Sequence, residues 1–309
     1  MYHLNCSIRI GDYLFAYCRR VLIESSWRKL TDICTIELPR KLKFEGESLK
    51  DLIQPNMTVV VKLGYDGVLN TEFEGVVTRI RPDMPFVVHC QDSMKGLKEN
   101  NVVFVSSGVS LEELMEATLP NSVAFEADDI RLGAFRVDNE SSAKVLNRLK
   151  NDYGIFSYFR GGVLQVGLPP IGQKNAAFSF QNNVIRHTLE YRVKGARRFK
   201  VRCVGMRASG VKVEVERGDI GGELRTFHYY DMDESDLIAI CESQLKVLKY
   251  DGYEGRFTTF GIPFVRHADI AKMTDQDFPE RSGSYRIDGV KIDFGVNGFK
   301  RDIQLGVKV

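Results

Sequence analysis

The sequence lacks the spacings that usually announce a metal centre or a catalytic site. Its six cysteines fall at 6, 18, 34, 90, 203 and 241, with no C-x-x-C or similar short interval, so no zinc site of the usual kind is expected. The five histidines, at 3, 89, 187, 228 and 267, form no H-x-x-x-H or H-E-x-x-H pattern, which removes the common zinc hydrolase signature. Gly218, Gly221 and Gly222 precede no lysine-serine pair, so no phosphate-cradling loop is expected. No apolar run approaches the roughly 18 residues of a spanning helix. The start, MYHLNCSIRIG, lacks a basic segment followed by a long apolar stretch, and cytoplasmic synthesis is the default expectation. Charge of one sign is also missing. Lys plus Arg number 43 against 41 for Asp plus Glu, a formal net charge of +2, which argues against a dedicated nucleic-acid binder.

Short alternating strands are abundant instead. Ser7 to Ile10 alternates, Gly11-Asp12 turns, and Leu14 to Glu24 returns. In SSWRKLTDICTIELPRK, residues 25–41, Cys34, Ile36 and Leu38 share one face of a strand that Pro39 stops. Trp27, the only tryptophan, stands just before it. A short helix is expected at Ser48–Ile53, then a β-branched run Thr58–Leu63, a turn at Gly64–Gly67, and strands at Glu72–Ile80 and Phe86–Cys90. This texture predicts a small barrel or sandwich.

The pattern changes near residue 94. Ser110-Leu111-Glu112-Glu113 reads as a capping box opening a helix that ends at Pro120. A second helix runs from Ser141 or Ser142 to Tyr153 with Gly154 as its C-cap. It feeds a hairpin whose turn is Gly161-Gly162. From about Val184 β texture returns, with strands at Leu189–Val193, Phe199–Val204 and Val211–Val215, a helix over Asp233–Leu248, and strands at Tyr285–Phe294 and Asp302–Val307. The run Glu74-Gly75-Val76 to Ile80 echoes Ile287-Asp288-Gly289-Val290 to Phe294 in two regions of like order, which predicts a duplicated barrel. The expected class is mainly β with an α+β insertion: two similar small β-barrel domains separated by an α/β domain. The expected bounds are 1–93, 94–184 and 185–309, with a helical insertion near 231–250.

Chemistry finds little purchase. His89 and Cys90 adjoin, but on a strand they face opposite ways. Ser107-Gly108-Val109-Ser110 lacks the glycine order of a nucleophile elbow. Asp231, Asp233, Glu234 and Asp236 are better explained as carboxylates at a helix N-terminus than as cation ligands. Arg192, Lys194, Arg197, Arg198, Lys200 and Arg202 put six cations in eleven residues around Phe199. Such a run can grip phosphates, yet its alternation with Val201 and Cys203 favours the solvated face of a half-buried strand or a contact to an acidic protein.

The run SSWRKLTDICTIELPRK, followed by VVVKLGYDGVLNTEFEGVVTRIRP, resembles the first domain of phage tail (baseplate) hub proteins, among them the late control D proteins, the Mu-type hub and the N-terminal half of VgrG spikes. SSAKVLNRLKNDYGIFSYFRGGVLQVG and DFPERSGSYRIDGVKIDFGVNGFKRDIQLG are similar to later parts of the same family. The resemblance implies a structural, non-catalytic homotrimer. Two barrels per protomer would give a pseudo-six-fold ring joining the tail tube to the central spike, in contact with other baseplate proteins and with DNA only as passing cargo. It implies a virion tail component assembled in the bacterial host cytoplasm, with no cofactor and no stable membrane insertion. The chain carries no VgrG-type needle, so a separate spike is expected, and no lysozyme-like insertion is visible. Candidate interface residues are Trp27, Tyr65, Phe73, Arg197, Arg198 and Lys200. Trp27 is read either as a plug at the first barrel's strand or as an anchor between subunits. Thr58–Leu63 and Tyr285–Phe294 are the expected edge strands. The alternatives from other classes are a β-rich carbohydrate-binding module and a Cys or Ser hydrolase.

Overall fold

The structure, a computed structural model, describes residues 2–39, 43–44, 47–170, 172, 174–195, 198–206, 211–230, 232 and 234–309. The fold is mainly β with α/β insertions. Six strands of the first β unit lie in the neighbour order Leu4–Ile10, Thr58–Tyr65, Val68–Arg81, Phe86–Gln91, Ile33–Leu38 and Arg20–Ser26. Their inward residues alternate as the period of two requires: Cys34, Ile36 and Leu38 on one strand, Val59, Val61 and Leu63 on another, all buried. Asp66 and Gly67 have φ of 49° and 82°, the double positive φ of a tight hairpin turn between the strands ending at Tyr65 and starting at Val68.

The second β unit repeats that order. Asn175–Ser179, Ile270–Thr274, Gly283–Gly295, Gly298–Lys308, Gly252–Phe260 and the pair Val184–His187 with Glu190–Arg192 follow one another across the sheet. Position by position in the chain this is the same winding. One pairing differs: Leu4–Ile10 runs antiparallel to its neighbour, whereas Asn175–Ser179 runs parallel to Ile270–Thr274.

The two units are one sheet. Gly283–Gly295 pairs through Ile270–Met273 of its own unit with its first residues, then leaves it, and Gly289 to Gly295 pair with Ser26 to Arg20 of the first unit. Both of the expected edge strands are therefore interior. Thr58–Tyr65 is paired on both sides, and Gly283–Gly295 is the seam. An alternating strand announces a buried face, but nothing in its own sequence says what lies beside it. One hydrophobic cluster, from Cys6 and Ile8 to Ile303 and Leu305, runs through both units.

A separate core, Met94 to Val166, belongs to the α/β unit. Ser110 accepts from the Glu113 N–H at 3.2 Å while Glu113 accepts from the Ser110 N–H at 2.8 Å, the reciprocal capping box. The second helix starts at Ser142, ends in a π turn over Leu149–Tyr153, and is closed by Gly154 at φ 67°. Strands Val102–Ser110 and Arg131–Glu140, which the sequence pattern did not reveal, form a two-stranded sheet of their own. Phe199–Met206 and Lys212–Gly218 do not join the second β unit as expected. With Glu223–Tyr230 they make a third small sheet, covered by the helix Glu234–Leu248 through buried Leu237 and Cys241. The insertion is thus larger than the helix alone. Among the described residues no helix is long and apolar enough to cross a membrane.

Beyond the ladder, the units are joined by a buried ion pair. Arg301 is 0 % exposed. Its Nη1 and Nη2 donate to Glu72 of the first unit at 2.9 and 2.5 Å, and its Nε donates to the Gly261 carbonyl at 2.9 Å. The guanidinium also lies 5.0 Å from the Phe299 ring centre. Such a pair is held by complete hydrogen bonding, and losing one member strands a buried charge. Glu72→Met or Arg301→Met alone should cost about 3–5 kcal/mol, and the Met/Met double variant should recover most of that loss. Urea unfolding of the four proteins checks this. Single-variant losses of about 1 kcal/mol or less would mean that the pair behaves as an exposed one.

Candidate functional site

The two β units and the α/β unit meet around Trp27. The strand Gly283–Gly295 carries register shifts between Tyr285 and Ile287 and again between Ile287 and Gly289, where it passes from one unit to the other. Such bulges re-aim side chains, and here they place Arg286 and Asp288, both buried. Trp27, 2 % exposed, donates its indole N–H to Asp288 Oδ1 at 3.1 Å. Arg28 pairs with Asp288 Oδ2 at 2.8 Å, and Arg286 Nε reaches Oδ1 at 3.4 Å. Arg286 lies 4.4 Å from the Trp27 ring centre, and Phe156 of the α/β unit meets the ring edge-on at 4.7 Å. One side chain thus touches all three units. Burial holds the Arg286 guanidinium below its ordinary range, with the Asp288 charge opposing.

Beside this clamp lies a cavity of about 90 Å³, lined among others by Asp32, Asp92, Glu74, Gly161, Arg266 and His267. Asp32 and Asp92 are tied back to back: each backbone N–H donates to the other residue, to a carboxylate in one direction and a carbonyl in the other, both at 3.1 Å. Burial pushes the Asp32 carboxyl up to about 6 against the Ser25 and Ser26 donors. Burial, and then the Asp32 charge, push Asp92 up to about 7. His267 stands 3.7 Å from Asp32 Oδ2, yet burial and the cations Arg160 and Arg266 push it down to about 3. Arg160 in turn binds Asp269 at 2.5 Å, another bond between the α/β unit and the second β unit.

The arrangement does not make a nucleophile. Ser25 bonds to Asp32 rather than to His267, and a ring that protonates near pH 3 is a poor general base at neutrality. Among the described residues no group of three or more His, Cys, Asp or Glu side chains is placed to hold a metal ion.

The expected interface residues separate. Trp27 and Phe73 lie inside the protomer, 2 % and 5 % exposed. Tyr65 is half-buried, its hydroxyl donating to the Phe299 carbonyl and accepting from the Gly261 N–H, each at 3.2 Å. Arg198 is exposed. Lys200 and Arg202 both pair with Glu216 on the neighbouring strand, and Arg192 pairs with Glu254. Arg197 and the acidic residues Asp231 and Asp233 lie outside the described residues. Three of the six cations of the basic run thus share two cross-strand carboxylates, which lie far off in sequence. Asp32, Asp92, Arg286 and Asp288 escaped the sequence reading, because single charged residues within strands carry no mark of burial.

The pH response of the junction has opposing parts. The two carboxyls have folded values above their ordinary 3.8, so the folded chain binds protons that the unfolded chain releases, and acidification favours folding in that window. His267, lowered from 6.5, has the opposite effect below 6.5, where the unfolded ring takes a proton that the buried one refuses. Between pH 8 and 6.5 the carboxyls, Asp92 first, bind more protons in the folded chain than the His267 ring binds in the unfolded one. The melting temperature should therefore rise as pH falls across that interval, and Asp92→Asn should flatten the rise. Equal slopes for both proteins in a thermal melt series would contradict the assignment.

No protein-family model matches the chain, and no curated protein matches it in sequence. Solved structures do match in fold. A tail protein from Neisseria meningitidis MC58 shares 14 % identity, covering 99 % of this chain and 97 % of its own, with a TM-score of 0.67. The 43 kDa tail protein of prophage MuSo2 from Shewanella oneidensis shares 13 %, with 97 % of each chain covered and a TM-score of 0.63. An Escherichia coli component of the type VI secretion system, described as similar to T4 bacteriophage tail proteins, shares 10 %, covering 97 % of this chain and 76 % of its own at 0.62. Over nearly its whole length the chain has the fold of phage tail proteins and of the type VI secretion proteins related to them.

Proposed function

We propose that this chain is a structural hub subunit of a phage tail or a phage-derived injection machine. Three copies would close a ring that joins the tube to the central spike and lets DNA or effector pass. The observation that carries this reading is the repeated winding: two β units of the same six-position neighbour order, welded into one protomer. Two equivalent units in each of three copies present six similar faces on one side and a three-fold axis on the other, which is what a joint between a six-fold tube and a three-fold spike requires. On this reading the first β unit and the second, which opens at Asn175, are the paired ring domains, and the α/β unit projects from between them.

Among the described residues the strand order ends at Leu4–Ile10, capped at Ile8 to Ile10 by Tyr13–Phe15, at Asn175–Ser179, and at Val184–His187 with Glu190–Arg192. Unpaired edges invite partner strands. Head-to-tail contact between unlike ends closes after three copies. The pairing of Arg192, Lys200 and Arg202 with carboxylates engages half of the basic run within the chain rather than leaving it to hold passing DNA. The role is non-catalytic, the partners are tube, spike and neighbouring baseplate proteins, and the place is the virion tail, assembled in the host cytoplasm.

Analytical ultracentrifugation of the protein alone and with its spike partner tests the ring. A trimer is expected in at least the mixed sample, and a monomer in both at high concentration would end the model.

A further inference from the structure

The six cysteines, scattered in sequence, come together in space as three pairs. Cys34 and Cys90 are opposite one another on adjacent strands, and Cys203 lies beside Cys241. Cys6 and Cys18 bring their sulfurs to 4.0 Å. The first two pairs are buried on both sides, but Cys18 is half-buried and within reach of solvent.

The Cys6–Cys18 contact sits at a particular place. Cys6 belongs to Leu4–Ile10, at one end of the first unit's strand order, and Cys18 leads into Arg20–Ser26, at the other end. Among the described residues no hydrogen-bonded ladder joins those two strands, since Arg20–Ser26 is paired instead with Ile33–Leu38 and with the seam strand. The thiols are thus a side-chain contact across the gap where the first unit's winding is left open. Cys18 lies in an irregular link rather than in a strand, so its backbone can yield. A bond length of about 2.05 Å requires the sulfurs to close from 4.0 Å, within the reach of side-chain rotation and a small shift of that link.

We propose that Cys6 and Cys18 form a redox staple: thiols in a reducing medium, and a disulfide closing the first β unit across its unpaired gap once a small-molecule disulfide of the glutathione type is in excess. In the exchange one protein sulfur attacks the reagent disulfide and releases one reagent thiol. The second protein sulfur then attacks the mixed disulfide and releases the other. Two protein thiols and one reagent disulfide become one protein disulfide and two reagent thiols, which carry away both protons. The contact between the two sulfurs holds the Cys6 thiol below its ordinary range and, with burial, pushes Cys18 above its own, so Cys6 is the thiolate of the pair. The staple depends only on the fold of one protomer and is independent of the ring.

Its test uses the full chain incubated with oxidised glutathione, then alkylated before and after denaturation and mapped by peptide mass. The expected product is a cross-linked pair of peptides carrying Cys6 and Cys18, lighter by two hydrogens, with the other four thiols alkylated only after denaturation. The short loop closed should raise the melting temperature by about 5 °C. Dithiothreitol should reverse the rise, and Cys18→Ser and Cys18→Ala should lack it. Glutathione retained on Cys18, both thiols recovered free, or a bond between two chains would each overturn the proposal, and the wild-type peptide map decides without relying on any variant's folding.

Discussion

A single strand, Gly283–Gly295, serves two β units, and the rest of the structure is arranged around that division. Its first residues pair within the second unit and its last seven pair with Arg20–Ser26 of the first. Its register against Gly298–Lys308, the neighbour on its other edge, is broken by two shifts at Arg286 and Asp288, beside that division. The break exposes two charged side chains to the interior. Trp27 and Arg28 answer them, with the indole N–H and the Arg28 guanidinium on one carboxylate and the Trp27 ring face toward Arg286. Because Phe156 closes the other side of the ring, the α/β unit is fixed by the same residue that seals the crossing.

Charge pairs recur wherever the units meet, two of them largely buried and one, Arg20–Asp293, partly exposed. Arg301 with Glu72, Arg160 with Asp269, and Arg20 with Asp293 at 2.7 and 2.9 Å each link residues of different units. Apolar contacts would supply more stability per area, since desolvating two ions offsets much of their attraction. Apolar surfaces, however, tolerate sliding. Bidentate guanidinium–carboxylate pairs fix an angle and a register. That rigidity between the two units is the property the pairs contribute.

Local features were legible in the sequence, and long-range ones were not. Ser110 with Glu113, Gly154, and Gly161-Gly162 act within a few residues, so their chemistry is complete in a short window. The alternation of Cys34, Ile36 and Leu38 likewise marks a buried face without reference to anything else. The echo of Gly75-Val76 in Gly289-Val290 falls on strands of equivalent place in the two windings. At Gly75 the reason is plain, since a Cβ would stand 2.1 Å from the Gln91 carbonyl oxygen. What escaped was everything decided by neighbours: the interior position of Thr58–Tyr65, the parallel strand Asn175–Ser179, the separate sheet of Phe199–Met206, and the three cysteine pairs. A cysteine in an alternating strand looks the same whether its partner is a valine or another thiol.

The one departure from the repeat also has a physical reading. In the first unit Leu4–Ile10 runs antiparallel to Thr58–Tyr65, and in the second Asn175–Ser179 runs parallel to Ile270–Thr274. The chain reaches Asn175 from the α/β unit, past the Arg286-bound carbonyl of Pro170. An incoming strand tethered at that end can fill the first position only by running in the direction its tether allows. The winding is therefore repeated where strands are connected within a unit and altered where the α/β unit joins, so the insertion, and not the β units themselves, breaks the internal symmetry.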